Sequence, residues 1–143
     1  MFAYHRAVRF EDIDAAQIVF FPRYLVYCHE ALEQLFAPLE GGYASLIMKR
    51  RVGLPAVHID MEFKKPLRYG EEVTIQVDVT KIGNSSCGLR YTIVRVSDGQ
   101  EMALVNHICV LSDLDELKSI PIPDDIRALL EQHLVVAPDR VAT

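Results

Sequence analysis

The chain is 143 residues long, 50% hydrophobic and 24% charged, with 7 Gly and 7 Pro, which fits one globular domain and excludes a disordered or collagen-like polymer. A formal charge of −5 argues against a general nucleic-acid binder, whose footprint is basic. No apolar run reaches bilayer-spanning length and no signal-peptide pattern opens the chain, so the expectation is a cytoplasmic protein without membrane or nucleic-acid partners.

Residues Phe2–Phe10 alternate well enough to predict a strand. The stretch from Phe10 to Tyr24 follows, with Glu11, Asp12 and Asp14 ahead of the apolar run Ile18–Phe21. Pro22 suits the first turn of a helix, and Leu25, Cys28, Leu32, and Leu35 or Phe36 then recur at helical spacing, predicting a long helix over about 22–37. Pro38 and Gly41-Gly42 end it. A shorter helix is expected over Tyr43–Arg51, with Lys49-Arg50-Arg51 where cations suit the helix dipole. Period-two alternation then predicts strands at Ala56–Lys65, Val73–Val79, Leu89–Val96 and Met102–Leu111, separated by glycine-bearing turns and read as a sequential antiparallel meander. Pro121 and Pro123 introduce a short helix, Asp124–His133, and the last residues read as a tail. The order of elements predicts a single α+β domain over 1–143, with a core over about 2–115 and a C-terminal helix over about 122–133. One long helix covers one face of a single sheet, and the remaining face and edges favour a dimer or larger assembly.

A carboxylate at the mouth of a helix lies beside unpaired N–H groups and a partial positive charge, an arrangement that can polarise a carbonyl while an acid acts on it. Asp12 and Asp14 both qualify, and both are equally explicable as caps of a loop. His29 has Glu33 four residues on, a pair able to act as acid and base or to shape a pocket, although it is commoner as a helix-surface pair. His58 stands in a strand, where structural histidines predominate, while His5, His107 and His133 lack supporting neighbours. Tyr24, Tyr27, Phe20 and Phe21 could line an acyl pocket or pack the core. Three dispersed cysteines give neither a metal-ligand spacing nor a disulfide framework, and no cofactor motif is present.

The run Phe10-Glu11-Asp12-Ile13-Asp14-Ala15-Ala16, with Ile18-Val19-Phe20 and Tyr24 after it, resembles the hotdog-fold thioesterases of the 4-hydroxybenzoyl-CoA thioesterase type. Gly53-Leu54-Pro55, Phe63-Lys64-Lys65-Pro66-Leu67, Gly70-Glu71 and Ile82-Gly83-Asn84-Ser85-Ser86 extend the resemblance over about 5–115. It implies a five-stranded antiparallel sheet wrapped around one long helix, assembled as a homodimer or homotetramer with the active site at the dimer interface. It implies hydrolysis of an acyl-CoA, with an aromatic acyl group such as benzoyl or hydroxybenzoyl first and a short or medium chain second, and no metal or other cofactor.

Within that resemblance Asp14 maps to the catalytic acid, as nucleophile or general base, and the Phe21 backbone amide to the carbonyl-polarising group. Tyr24, His29 and His58 map to the substrate pocket. Ser85 and Ser86 map to a turn on the CoA side, and, as basic residues, Arg50-Arg51, Lys64-Lys65, Arg68 and Arg90 are candidates for its phosphates. Two departures stand out. Gln17 occupies a position where the family has glycine, and Gly83-Asn84-Ser85-Ser86 replaces a basic run that grips CoA phosphates in one branch. Other readings of such a domain are a dehydratase or hydratase, whose own His and acid motif is missing, or a non-catalytic domain that binds acyl-CoA or a partner.

Overall fold

Alternating apolar residues along three neighbouring strands build the centre of the molecule: Val73, Ile75, Val77 and Val79 on one, Leu89, Tyr91 and Ile93 on the next, Ala103, Val105 and Cys109 on the third, all buried. The structure is a computed structural model that describes residues 1–135. Its elements are β1 (Phe2–Ala7), a 3-10 turn (Phe10–Asp12), α1 (Arg23–Leu35), α2 (Gly42–Met48), β2 (Val52–Gly53), β3 (Ala56–Phe63), β4 (Glu72–Ile82), β5 (Ser86–Arg95), β6 (Glu101–Val110), β7 (Ser112–Asp113), β8 (Lys118–Ser119) and α3 (Asp124–Glu131). The class is α+β, as expected. Helix α1 lays Tyr24, Tyr27, Cys28, Ala31, Leu32 and Leu35 onto the inner face of the sheet. Burying a leucine such as Leu32 or Leu35 in this way is worth roughly 1.5–3 kcal/mol.

The five-stranded sheet runs β1-β4-β5-β6-β3, antiparallel throughout. This corrects the simple meander. Strands β4, β5 and β6 do follow one another, but β3 lies beyond β6 at the far edge. Residues 64–71 make the crossing: eight residues reach roughly 26 Å, while three interstrand gaps need only about 14 Å. Leu67, fully buried, pins the crossing to the core, and its carbonyl accepts the Val19 N–H at 2.9 Å.

Other boundaries shift for identifiable reasons. The first strand stops at Ala7 because Arg9 caps the 3-10 turn that follows. Helix α2 ends at Met48, short of the predicted Arg51, whose φ of 56° is left-handed and cannot continue a helix. The cations expected to serve its end instead reach elsewhere, Arg50 to Asp125 at 2.6 Å and Arg51 to Asp115 at 3.0 Å. Helix α3 ends at Glu131, and the next residues join the sheet: Val79 donates to the His133 carbonyl at 3.0 Å and accepts from Val135 N–H at 2.9 Å. They cover β4 where β1 has run out. The remainder of the expected tail, 136–143, lies outside the described residues.

Strand β3 is unlike the others. Val57 and Ile59 are 62% and 42% exposed and Phe63 is half-exposed, so the outer edge of the sheet carries both open backbone groups and apolar side chains. No described helix is long and apolar enough to cross a membrane.

Candidate active site

The Phe10–Tyr24 stretch folds around Asp12, whose side chain is fully buried. Asp12 Oδ2 accepts from the Arg9 N–H at 2.8 Å, Arg6 Nη2 at 2.9 Å and the Tyr27 hydroxyl at 2.9 Å, and Oδ1 accepts from Arg23 Nε at 2.9 Å and Nη2 at 2.6 Å. Burial alone would raise its pKa. The amide of Arg9, the side chains of Arg23 and Tyr27 and the charge of Arg6 outweigh that and hold it below the usual carboxylate range. Arg6 also stacks over the Tyr27 ring, 4.1 Å from its centroid. Tyr27 is therefore a buried anchor rather than a pocket wall.

Asp14 belongs to a tight hairpin turn. Its N–H donates to the Ile18 carbonyl at 2.9 Å, and its carbonyl accepts from the Gln17 N–H at 2.9 Å. Such a turn followed by a left-handed residue normally places glycine there, and Gln17 adopts that conformation with φ 66°. Gln17 at the position where the family has glycine is thus held in a strained backbone conformation. Asp14 Oδ1 accepts the Ala16 N–H at 2.8 Å, which fixes the carboxylate plane, and among the described residues Oδ2 has no donor. This acid lines an open groove of about 530 Å3 with Phe10, Ile13, Arg68 and Tyr69. Among the described residues the Arg68 guanidinium has no carboxylate partner, whereas Arg50, Arg51, Lys64 and Arg90 all have one.

The Phe21 N–H likewise has no acceptor among the described residues, and α1 starts two residues later. Phe21, Tyr24 and Phe63 line a second hollow of about 400 Å3. Asp14 and Phe21 thus open on different hollows of one chain. Tyr24, expected to meet substrate, is 3% exposed and its hydroxyl accepts the Leu67 N–H at 3.4 Å, so its first task is to hold the crossing.

A third, more enclosed chamber of about 230 Å3 lies between α1 and the sheet. Leu25, Cys28, His29 and Leu32 form its helix side, and Ile59, Tyr91, Val105 and His107 its sheet side, with Tyr43 at one end. His29 lines the chamber and pairs with Glu33 at 3.0 Å, with its ring edge-on to Tyr43. Tyr91 and His107 were missed. The usable signal was parity: His107 shares the period-two face of Ala103, Val105 and Cys109, so it had to point inward.

The remaining expected residues lie apart. His58 is on the outer face of β3 and bonds Asp60 at 3.1 Å; Arg90 is on the outer face of β5, 3.4 Å from Asp78. Ser85 and Ser86 sit where β4 ends, while the Asp14 loop pairs with residues leading into its beginning, about 33 Å away along an eleven-residue strand. Their turn is held by α3, Arg127 donating to the Gly83 carbonyl at 2.9 Å. Among the described residues, no group of three or more His, Cys, Asp or Glu is placed to hold a metal ion.

A family model described as the thioesterase-like superfamily matches residues 8–130. A 1,4-dihydroxy-2-naphthoyl-CoA hydrolase from Thermosynechococcus vestitus is 31% identical over 96% of this chain and 93% of its own. A gentisyl-coenzyme A thioesterase structure superposes with a TM-score of 0.78 at 30% identity, covering 87% of this chain and 98% of that one. The crystal structure of a 1,4-dihydroxy-2-naphthoyl-CoA thioesterase from Synechocystis gives 0.82 at 27% identity, covering 90% and 94%. The thioesterase likeness read from the sequence stands; within it, these named relatives are of the dihydroxynaphthoyl and gentisyl kind rather than the 4-hydroxybenzoyl kind.

Proposed function

Because the chain belongs to the thioesterase-like superfamily, we propose that it hydrolyses the thioester of an aryl-CoA, releasing the aromatic acid and CoA. The observation that carries this reading is Asp14, a carboxylate oriented through one oxygen and open at the other, beside an exposed arginine in a broad groove. The Phe21 N–H receives the thioester oxygen as negative charge develops on it, a contribution of about 3 kcal/mol for one well-aimed donor. Asp14 either attacks the carbonyl carbon, expelling the CoA thiolate and leaving a mixed anhydride for water to open, or takes a proton from the water that attacks.

The acyl ring runs along α1 into the chamber, whose helix side begins with Leu25, in the first turn of α1 and four positions after Phe21. The 1,4-dihydroxy-2-naphthoyl and gentisyl groups named for the relatives share one pattern, two hydroxyls para to each other with one ortho to the thioester. A hydroquinone-type aryl group of this pattern is the substrate class that best suits a mostly apolar chamber with a few polar groups. The open β3 edge pairs with a second copy, completing the site as a dimer, and Ser85 and Ser86 serve it only from a neighbouring copy.

Thiol release from a panel of aryl- and alkyl-CoA thioesters tests the proposal. Asp14→Asn is expected to lower kcat/KM at least ~100-fold, about 2.7 kcal/mol of barrier, with the fold intact. Full activity in Asp14→Asn sinks the mechanism, and tight acyl-CoA binding without turnover, unchanged by that substitution, would establish a binding domain instead. Single turnover in 18O-labelled water tests the anhydride route: label appears in Asp14, and an Asp14 oxygen in the released acid, only when water opens an anhydride at the Asp14 carbonyl, whereas label in the acid alone fits either direct attack by water or opening at the acyl carbonyl.

A further inference from the structure

A histidine among apolar walls is the feature of the chamber that packing does not explain. His107 is half-buried in the middle of β6, flanked across the sheet by Leu89 and Ile59. Its Nδ1 is 3.3 Å from the Tyr91 hydroxyl, and the two rings lie nearly parallel with centroids 6.0 Å apart. Tyr91 is 1% exposed, so this contact fixes the imidazole from below. The other ring nitrogen, Nε2, has no partner among the described residues, although no fully buried side-chain nitrogen or oxygen among them is left unsatisfied. Nε2 is therefore reached from the chamber. Burial, and then the charge of His29, lower the His107 pKa, so the ring is neutral and offers one donor and one acceptor.

The chamber's size agrees with an aromatic occupant. An apolar cavity of about 150 Å3 takes a benzene ring, so about 230 Å3 leaves room for a second fused ring or substituents. A bare hydrocarbon there would leave Nε2 facing it unpaired, which is unfavourable; a ring hydroxyl would satisfy it.

We propose that His107, positioned by Tyr91, is the specificity-determining residue that accepts or donates a hydrogen bond to the acyl-ring hydroxyl remote from the thioester. This rests on the aryl-CoA thioesterase reading above. It makes His107 a selector of hydroxylated rings, with no part in bond breaking.

The test compares kcat/KM, by thiol release, for 1,4-dihydroxy-2-naphthoyl-CoA and for 1-hydroxy-2-naphthoyl-CoA, which lacks only the remote hydroxyl. The wild type is expected to prefer the dihydroxylated compound about tenfold or more, the discrimination a single buried hydrogen bond supplies. His107→Phe keeps a flat ring and should bring the ratio of kcat/KM for the two substrates to about one, whatever the absolute rates, and His107→Asn should restore part of the preference. Tyr91→Phe preserves packing and should weaken the preference by releasing the imidazole, which keeps the test open if His107→Phe folds poorly. An unchanged preference in these variants, or equal losses on both substrates, overturns the assignment of His107 while the thioesterase reading survives. No thiol release from any aryl-CoA overturns both.

Discussion

Asp12 and Asp14 stand two residues apart in opposite surroundings. Asp12 has both oxygens saturated by arginine, tyrosine and amide donors inside the core, and Asp14 holds one oxygen toward open space. Asp12→Asn would leave Arg6, whose side chain is only 3% exposed, partly uncompensated. Breaking a buried pair in this way costs about 3–5 kcal/mol. Because the folded-state pKa of Asp12 is depressed, its ionisation stabilises the fold fully above the unfolded value near pH 4, and that contribution is lost as the pH falls through the folded value. Urea titrations should therefore show a wild-type advantage over Asp12→Asn that is largest at neutral pH and narrows below about pH 4. A constant gap across that range would mean that the charge of Asp12 does not matter. Residue type and spacing alone could not separate the two acids; only the likeness to a family did, and the reason became physical once Arg6, Arg23 and Tyr27 were seen to converge on one of them.

At the scale of elements, the hairpin turn carrying Asp14 shows how a local rule can be broken without losing the shape it serves. A left-handed residue other than glycine costs roughly 1–2 kcal/mol, offset in part by the smaller unfolded-state entropy of glutamine relative to glycine. Gln17→Gly is expected to raise stability by up to about 1 kcal/mol in thermal or urea unfolding while leaving Asp14 hydrogen-bonded as before. A marked destabilisation would show instead that the Gln17 side chain contributes contacts of its own. Helix α1 was legible to within about two residues because its apolar spacing and Pro22 agree. The end of α2 was not, because Val52 and Gly53 pair with Asp113 and Ser112, a strand about sixty positions downstream that no local pattern announces.

For the whole molecule, alternation revealed the major strands of the sheet, yet not their order. Period-two patterning is silent about neighbours, and β3 reads like any other alternating strand until the crossing at 64–71 is traced. The same gap hid the chamber: His29, Tyr91 and His107 come from an early helix and two later strands, and meet only when α1 lies on the sheet.

That strand order also sets a sequence of events in time. The ladders of β4 with β5 and of β5 with β6 close through short turns, whereas β3 must wait for β6 and β1 for β4 before either has an edge to join. The central three strands are expected to form the folding nucleus, with both margins zipping on late. In stopped-flow refolding, Ile93→Val in β5 should slow folding, while Met61→Ala in β3 should chiefly hasten unfolding. One of those two late margins bears exposed Val57 and Ile59, and until it docks β6 is itself an unprotected edge, so the refolding chain is expected to pass through an interval with β6 open.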